Sequence, residues 1–196
     1  MYATLLTLPL QVLAERLMPI EFTGQTVLHL DDGRPTACGL RFIGVQTPQN
    51  GNNPDEIVWV PDGSFMIERR GYGLVKAVAT NISVKDMLER KQPKGQPFKS
   101  FWFKVEGQKA TTPLRPETKG DNENSMLYVT DLESVTNIFV GVIQGKQLQF
   151  ALKFEDGNDI AFYGKVNVNP QDEQQLMSCI TELSDLITED SKPRRK

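Results

Sequence analysis

Apolar and polar residues alternate along much of this chain with the period of two that marks strands half-buried in a sheet. The alternation is clearest at residues 26–30 and again at 37–45, with Asp31-Asp32-Gly33-Arg34 between them as hairpin turn chemistry. On the return strand the phase puts Cys38, Leu40 and Phe42 on one face and Ala37, Gly39, Arg41 and Ile43 on the other. Residues 47–55 (TPQNGNNPD) read as a loop. Residues 57–60 and 65–69 then read as a second hairpin about a turn at Pro61-Asp62-Gly63-Ser64. Residues 72–82 continue as β structure, and 83–90 suit a short helix that Pro93, Gly95 and Pro97 bring to an end. A strand follows at 98–105, with Phe101 and Phe103 facing opposite to Trp102 and Lys104. Residues 112–125 (TPLRPETKGDNENS) form the longest polar loop.

The period changes to that of a helix in two places. Thr130 and Glu133 have the spacing of a capping box, and Leu132, Val135, Ile138, Phe139 and Val142 recur at helical intervals before Gly145. Near the end Asn169 is placed to cap and Pro170 to open a helix with Leu176, Cys179, Ile180, Leu183 and Ile187 in a stripe. Between the two helices, residues 148–154 and 160–168 alternate about Glu155-Asp156-Gly157-Asn158. The pattern predicts a mainly β (α+β) fold: an antiparallel sheet, sandwich or flattened barrel of about seven to nine strands with one or two packed helices, including a C-terminal one.

Composition narrows the class. At 196 residues, 39% hydrophobic and 24% charged, the chain fits one globular domain, expected over residues 15–190. The net charge of −3 argues against nucleic-acid binding, which calls for a concentrated basic face. No run reaches the roughly 18 to 20 apolar residues needed to span a bilayer. Residues 4–13 (TLLTLPLQVL) have the character of a signal-peptide core, with Val12 and Ala14 suited to a cleavage site, so residues 1–14 are expected to be a leader remnant. The alternative is an amphipathic first helix with Leu10, Leu13 and Leu17 on one face. Residues 191–196 form a basic polar tail. The chain has two cysteines, both phased toward the core, and they are expected to form a disulfide between Cys38 and Cys179. Together with the leader, that points to a periplasmic or secreted protein; the alternative is a cytoplasmic one.

No constellation of residues commits the chain to a chemistry. A single histidine, His29, gives no basis for a multi-histidine metal site or a triad, and it is read as structural. The acidic turns at 31–33 and 155–159 lack the EF-hand ligand series and are read as hairpin turns. No phosphate-binding loop is present, and Gly71 and Gly73 lack the context of a dinucleotide site; no cofactor and no metal are expected. The one suggestive surface interleaves cations and aromatics: Arg69, Arg70, Tyr72 and Lys76 beside Lys99 and Trp102. The bland reading of the same residues puts the aromatics in the core and scatters the cations in solvent. The expectation is an exported, non-enzymatic binding or scaffold module for a protein or envelope polysaccharide. The alternatives are an envelope-acting hydrolase with unlocated carboxylates and a small-ligand carrier with a barrel cavity.

Overall fold

The computed structural model describes residues 16–49, 53–115, 117–120 and 123–190. The expected leader (1–14) and tail (191–196) lie outside the described residues. The elements in chain order are β1 (Arg16–Pro19), β2 (Glu21–Asp31), β3 (Arg34–Val45), β4 (Ile57–Trp59), β5 (Asp62–Glu68), β6 (Tyr72–Val78), β7 (Thr80–Ser83), α1 (Val84–Leu88), β8 (Lys94–Gly95), β9 (Ser100–Val105), β10 (Thr118–Lys119), β11 (Ser125–Thr130), α2 (Leu132–Ile143), β12 (Leu148–Lys153), β13 (Ile160–Gly164), β14 (Val166–Val168) and α3 (Pro170–Asp190). They form a seven-stranded sheet in the order β10-β11-β6-β5-β3-β2-β14 and a four-stranded sheet in the order β1-β13-β12-β9. A small third sheet has the order β4-β7-β8.

The two larger sheets are joined along both sides. On one side β1 and β2, nearly continuous in the chain, pair in parallel with β13 and then β14, carrying one bent ladder from sheet to sheet. Across the bend Ile20 N donates to Tyr163 O and Phe22 N to Lys165 O. Gly164 makes the bend possible, because a Cβ there would stand 1.7 Å from the Ile20 carbonyl oxygen. On the other side residues 111–114 bridge β9 to β11. Thr111 N donates to Phe103 O at 2.8 Å and Leu114 N to Val129 O at 2.8 Å. The side chain of Thr130 adds a bond to Thr112 O at 2.9 Å. A wall of hydrogen bonds thus closes into a flattened barrel, as expected, antiparallel except for the two parallel pairings. Part of the expected loop 112–125 is ordered by this bridge and by β10, which pairs with β11.

The barrel interior is filled by rings. Phe22, Phe42, Phe65, Phe103, Phe150 and Phe162 are fully buried. Phe42 sits among four of them with centroid distances of 5.2 to 6.0 Å, mostly edge to face, the arrangement that ring quadrupoles favour.

Three expectations are corrected in detail. Residues 57–69 are not a hairpin: β4 pairs with β7 in the third sheet, while β5 pairs with β3 and β6. The chain changes sheets at Pro61, and Asp62, Gly63 and Ser64 are strand residues rather than a turn. Gly63 is needed there for packing, since a Cβ would lie 2.5 Å from Phe42 Cζ. The cap of α2 is Asp131, not Thr130; its carboxylate accepts from Ser134 N at 2.7 Å, while the Thr130 hydroxyl is committed to the Thr112 carbonyl. The strand β11 precedes this helix, in residues to which the sequence pattern assigned no element.

α2 and α3 cover the part of the large sheet's inner face that the small sheet leaves free. Phe139 of α2 packs edge to face on Phe65 at 4.9 Å. α3 opens as its sequence predicts, with Asn169 Oδ1 accepting from Asp172 N at 2.9 Å. It is tied to β2 where Asp172 Oδ1 accepts from Thr26 N at 2.9 Å. Two turns on, Cys179 is bonded to Cys38 of β3, their Cα atoms 5.9 Å apart and 141 residues apart in sequence.

Candidate functional site

The cation–aromatic surface expected from sequence is divided between faces. Along β6 the inward positions are Gly73, Val75 and Ala77, so Tyr72 and Lys76 project from the outer face of the seven-stranded sheet. Trp102 projects with Ser100 and Lys104 from the outer face of the four-stranded sheet, and Lys99 lies exposed just before it. Arg69 and Arg70 occupy the turn between β5 and β6, with Arg70 exposed. Tyr72 and Trp102 are both half-buried and stand on the outer faces of different sheets, with residues 111–114 and β11 between β9 and β6. Near Tyr72 and Lys76, Arg41 makes a bidentate pair with Asp62, and the two help line a shallow cleft of about 400 Å³ together with Val27 and His29. Across the four-stranded sheet, the row from Trp102 runs through Ala151 and Ala161 to the exposed Leu17.

Several residues of chemical interest have structural partners. His29 is exposed on β2. Asp156 and Asp159 are hydrogen-bonded within the β12–β13 turn, to Asn158 and to Phe154 N. The Asp131 carboxyl is held below its ordinary range by bonds from Ser134, as a helix cap should be. Partial burial raises the Glu117 carboxyl, opposed by a hydrogen bond from the Phe101 backbone. Burial likewise raises the Tyr128 hydroxyl, which is bonded to Thr111. Among the described residues no group of three or more His, Cys, Asp or Glu is placed to hold a metal ion. Among the same residues no helix is long and apolar enough to cross a membrane.

The feature that sequence reasoning missed is a groove between α2 and α3. Its walls are Leu132, Thr136, Phe139, Val140, Ile143 and Gln144 on one side. The other side is Met177, Ile180, Leu183, Ser184, Ile187 and Thr188, and Ile67 of β5 forms the floor. The cavity holds about 410 Å³, and no lining residue is charged. At 1.5 Å per helical residue each wall runs about 17 Å, or three turns. Val140 and Met177 are each 46% exposed and Ile143 37%, so large apolar groups stand open at the rim. Each helix turns one stripe to the core, Val135, Ile138 and Val142 on α2 and Leu176, Cys179 and Leu183 on α3. Apart from Leu183 and Phe139, which belong to the core as well, the groove residues lie on a second stripe rotated toward the neighbouring helix. A signal for it exists in the sequence: Val140, Ile143 and Met177 are apolar positions outside the core stripe, and they widen the apolar face beyond what one contact requires.

Compared with known proteins, the chain matches no family model, no curated protein and no solved structure. The site must therefore be read from its own geometry.

Proposed function

We propose that this chain is an exported binding module without an enzymatic site, which seats a helical segment of a partner protein in the groove between α2 and α3. The observation that carries the reading is the open apolar groove itself. Contiguous exposed apolar surface costs a monomer solubility, and where it lines a concave cleft it marks a contact site. Covering the exposed fractions of Val140, Ile143 and Met177 would contribute about 3 kcal/mol, scaling the usual cost of exposing such side chains by their exposure. The uncharged walls, three helical turns long, suit a helix laid in a groove better than they suit a polar polymer. The bond between Cys38 and Cys179 supports an oxidising compartment, as does the Leu-rich run at residues 4–13.

Two measurements test this. Thiols trapped by alkylation in native cells should show the cysteines oxidised, in protein recovered from an extracytoplasmic fraction; a reduced chain in the cytosol overturns the compartment. The folded full chain should enhance the fluorescence of 8-anilinonaphthalene-1-sulfonate, and Val140→Glu with Met177→Glu should remove most of that signal without lowering the melting temperature. Dye binding unchanged by the two substitutions would remove the groove as the contact surface.

A further inference from the structure

The charge of this chain is distributed unevenly, and the unevenness centres on the groove. α2 and α3 together carry seven carboxylate residues: Glu133, then Asp172, Glu173, Glu182, Asp185, Glu189 and Asp190. Neither helix has a lysine or arginine. The whole chain has 25 acidic and 22 basic residues, so everything outside the two helices has 18 acids against 22 bases and is net positive. The net charge of −3 is therefore produced by the elements that build the groove.

The helix dipole favours Glu133, Asp172 and Glu173, which stand in first turns, but gives no reason for the other four. α3 ends in Glu189-Asp190 with no basic residue in its last turn, where the helix dipole disfavours negative charge. On α3, the exposed Asp185 follows the groove-lining Ser184 and stands one turn before the groove-lining Thr188. On α2, Glu133 follows the groove-lining Leu132 and is exposed as well. An apolar trough with uncharged walls is thus flanked by carboxylates on both helices. Arg69 and Arg70 follow the floor residue Ile67 by two and three positions, so the acidic character belongs to the helical rims and not to that end.

We infer that the occupant of the groove is a basic amphipathic helix of a partner protein. Its apolar side chains, spaced i, i+3, i+4 and i+7, enter the trough, and its lysines or arginines lie along Glu133 and Asp185. This rests on the groove being the contact surface, and it adds the chemistry of what binds there.

The test uses two synthetic helical peptides of about 15 residues, roughly four turns. Both carry leucine at the same helical spacing, one with lysine and the other with glutamate at every remaining position. Binding of each, labelled with fluorescein, to the full chain is followed by fluorescence anisotropy at low and high salt. The lysine peptide should bind at least about tenfold more tightly than the glutamate peptide, and salt should narrow the difference. Met177→Glu and Val140→Glu should each weaken the lysine peptide about tenfold or more, and Thr136→Glu on the same wall replaces either variant that fails to fold. Reversing the rim with Glu133→Lys and Asp185→Lys should turn the preference toward the glutamate peptide. Equal binding of both peptides, lost together in the groove variants, overturns the basic partner and leaves the groove standing. Lysine-peptide binding that survives the groove variants overturns both, because the peptide is then adsorbed on surface charge alone. A dimer of the full chain that Met177→Glu dissociates assigns the groove to a second copy and also overturns the inference.

Discussion

The covalent tie between Cys38 and Cys179 should be the largest single contributor to stability that can be removed without altering the sheets. It closes a loop of 141 residues that includes most of the barrel, both ends of which are otherwise held only by the fold. The chain-entropy treatment gives about 5 kcal/mol for a loop of that length, and this is an upper figure since measured values usually fall at 2 to 4. For a domain of this size each kcal/mol shifts the melting temperature by about 2 to 4 °C. The double variant Cys38→Ala, Cys179→Ala should therefore melt about 5 to 15 °C below the oxidised protein. Little of that loss comes from packing, because each substitution removes one sulfur atom. Treating the unaltered chain with a phosphine reductant should reproduce most of the shift. Circular dichroism melts of the three samples at neutral pH measure it, and hydrogen exchange should show loss of protection concentrated in α3 and its contacts with β2 and β3. Oxidised and reduced protein melting within about 1 °C of each other, or free thiols in alkylated protein from native cells, would refute the reasoning.

Three further outcomes follow from the packing and the polar contacts. Gly63→Ala places a methyl 2.5 Å from Phe42 Cζ and 2.9 Å from Phe103 Cζ, and should cost about 1 to 3 kcal/mol in denaturant unfolding; a neutral result would mean that the ring cluster is looser than the fold requires. Asp131→Ala removes the cap of α2 and should cost about 1 kcal/mol, and a smaller loss for Asp131→Ala than for Ser134→Ala would place the cap elsewhere. Burial holds the Tyr128 hydroxyl protonated above its ordinary 10.0, so between that value and the raised one the unfolded chain releases a proton that the folded chain keeps. Stability from this group is intact below pH 10 and is lost as pH rises; the melting temperature should therefore fall more steeply above pH 10 for the unaltered chain than for Tyr128→Phe, and equal slopes would contradict the burial.

What the sequence determined by itself is local. The period of two set the strand faces correctly: Cys38, Leu40 and Phe42 are all fully buried, and Phe101 and Phe103 point in while Trp102 and Lys104 point out. The punctuation by Asp31–Arg34, Asn169, Pro170 and Gly145 marked turns and helix ends because those residues act on their own backbone, within a few positions. The inward phase of both cysteines, taken with the Leu-rich run at residues 4–13, pointed to their bond. The tertiary structure alone decided which strands meet. Pro61-Asp62-Gly63-Ser64 has the composition of a turn, yet Gly63 serves a phenylalanine ring from β3, and the chain changes sheets instead of reversing. The same holds for the two parallel pairings and for the bridge at residues 111–114, whose partners are far apart in sequence. The candidate site divides in the same way. One cation–aromatic surface was read from β6 and β9, but they belong to different sheets, and residues 111–114 and β11 lie between them. The groove arises where one helix lies beside another, so each apolar stripe was legible on its own helix. Which part of each stripe stays open depends on how the two helices rest on the barrel, and no periodicity within either segment encodes that.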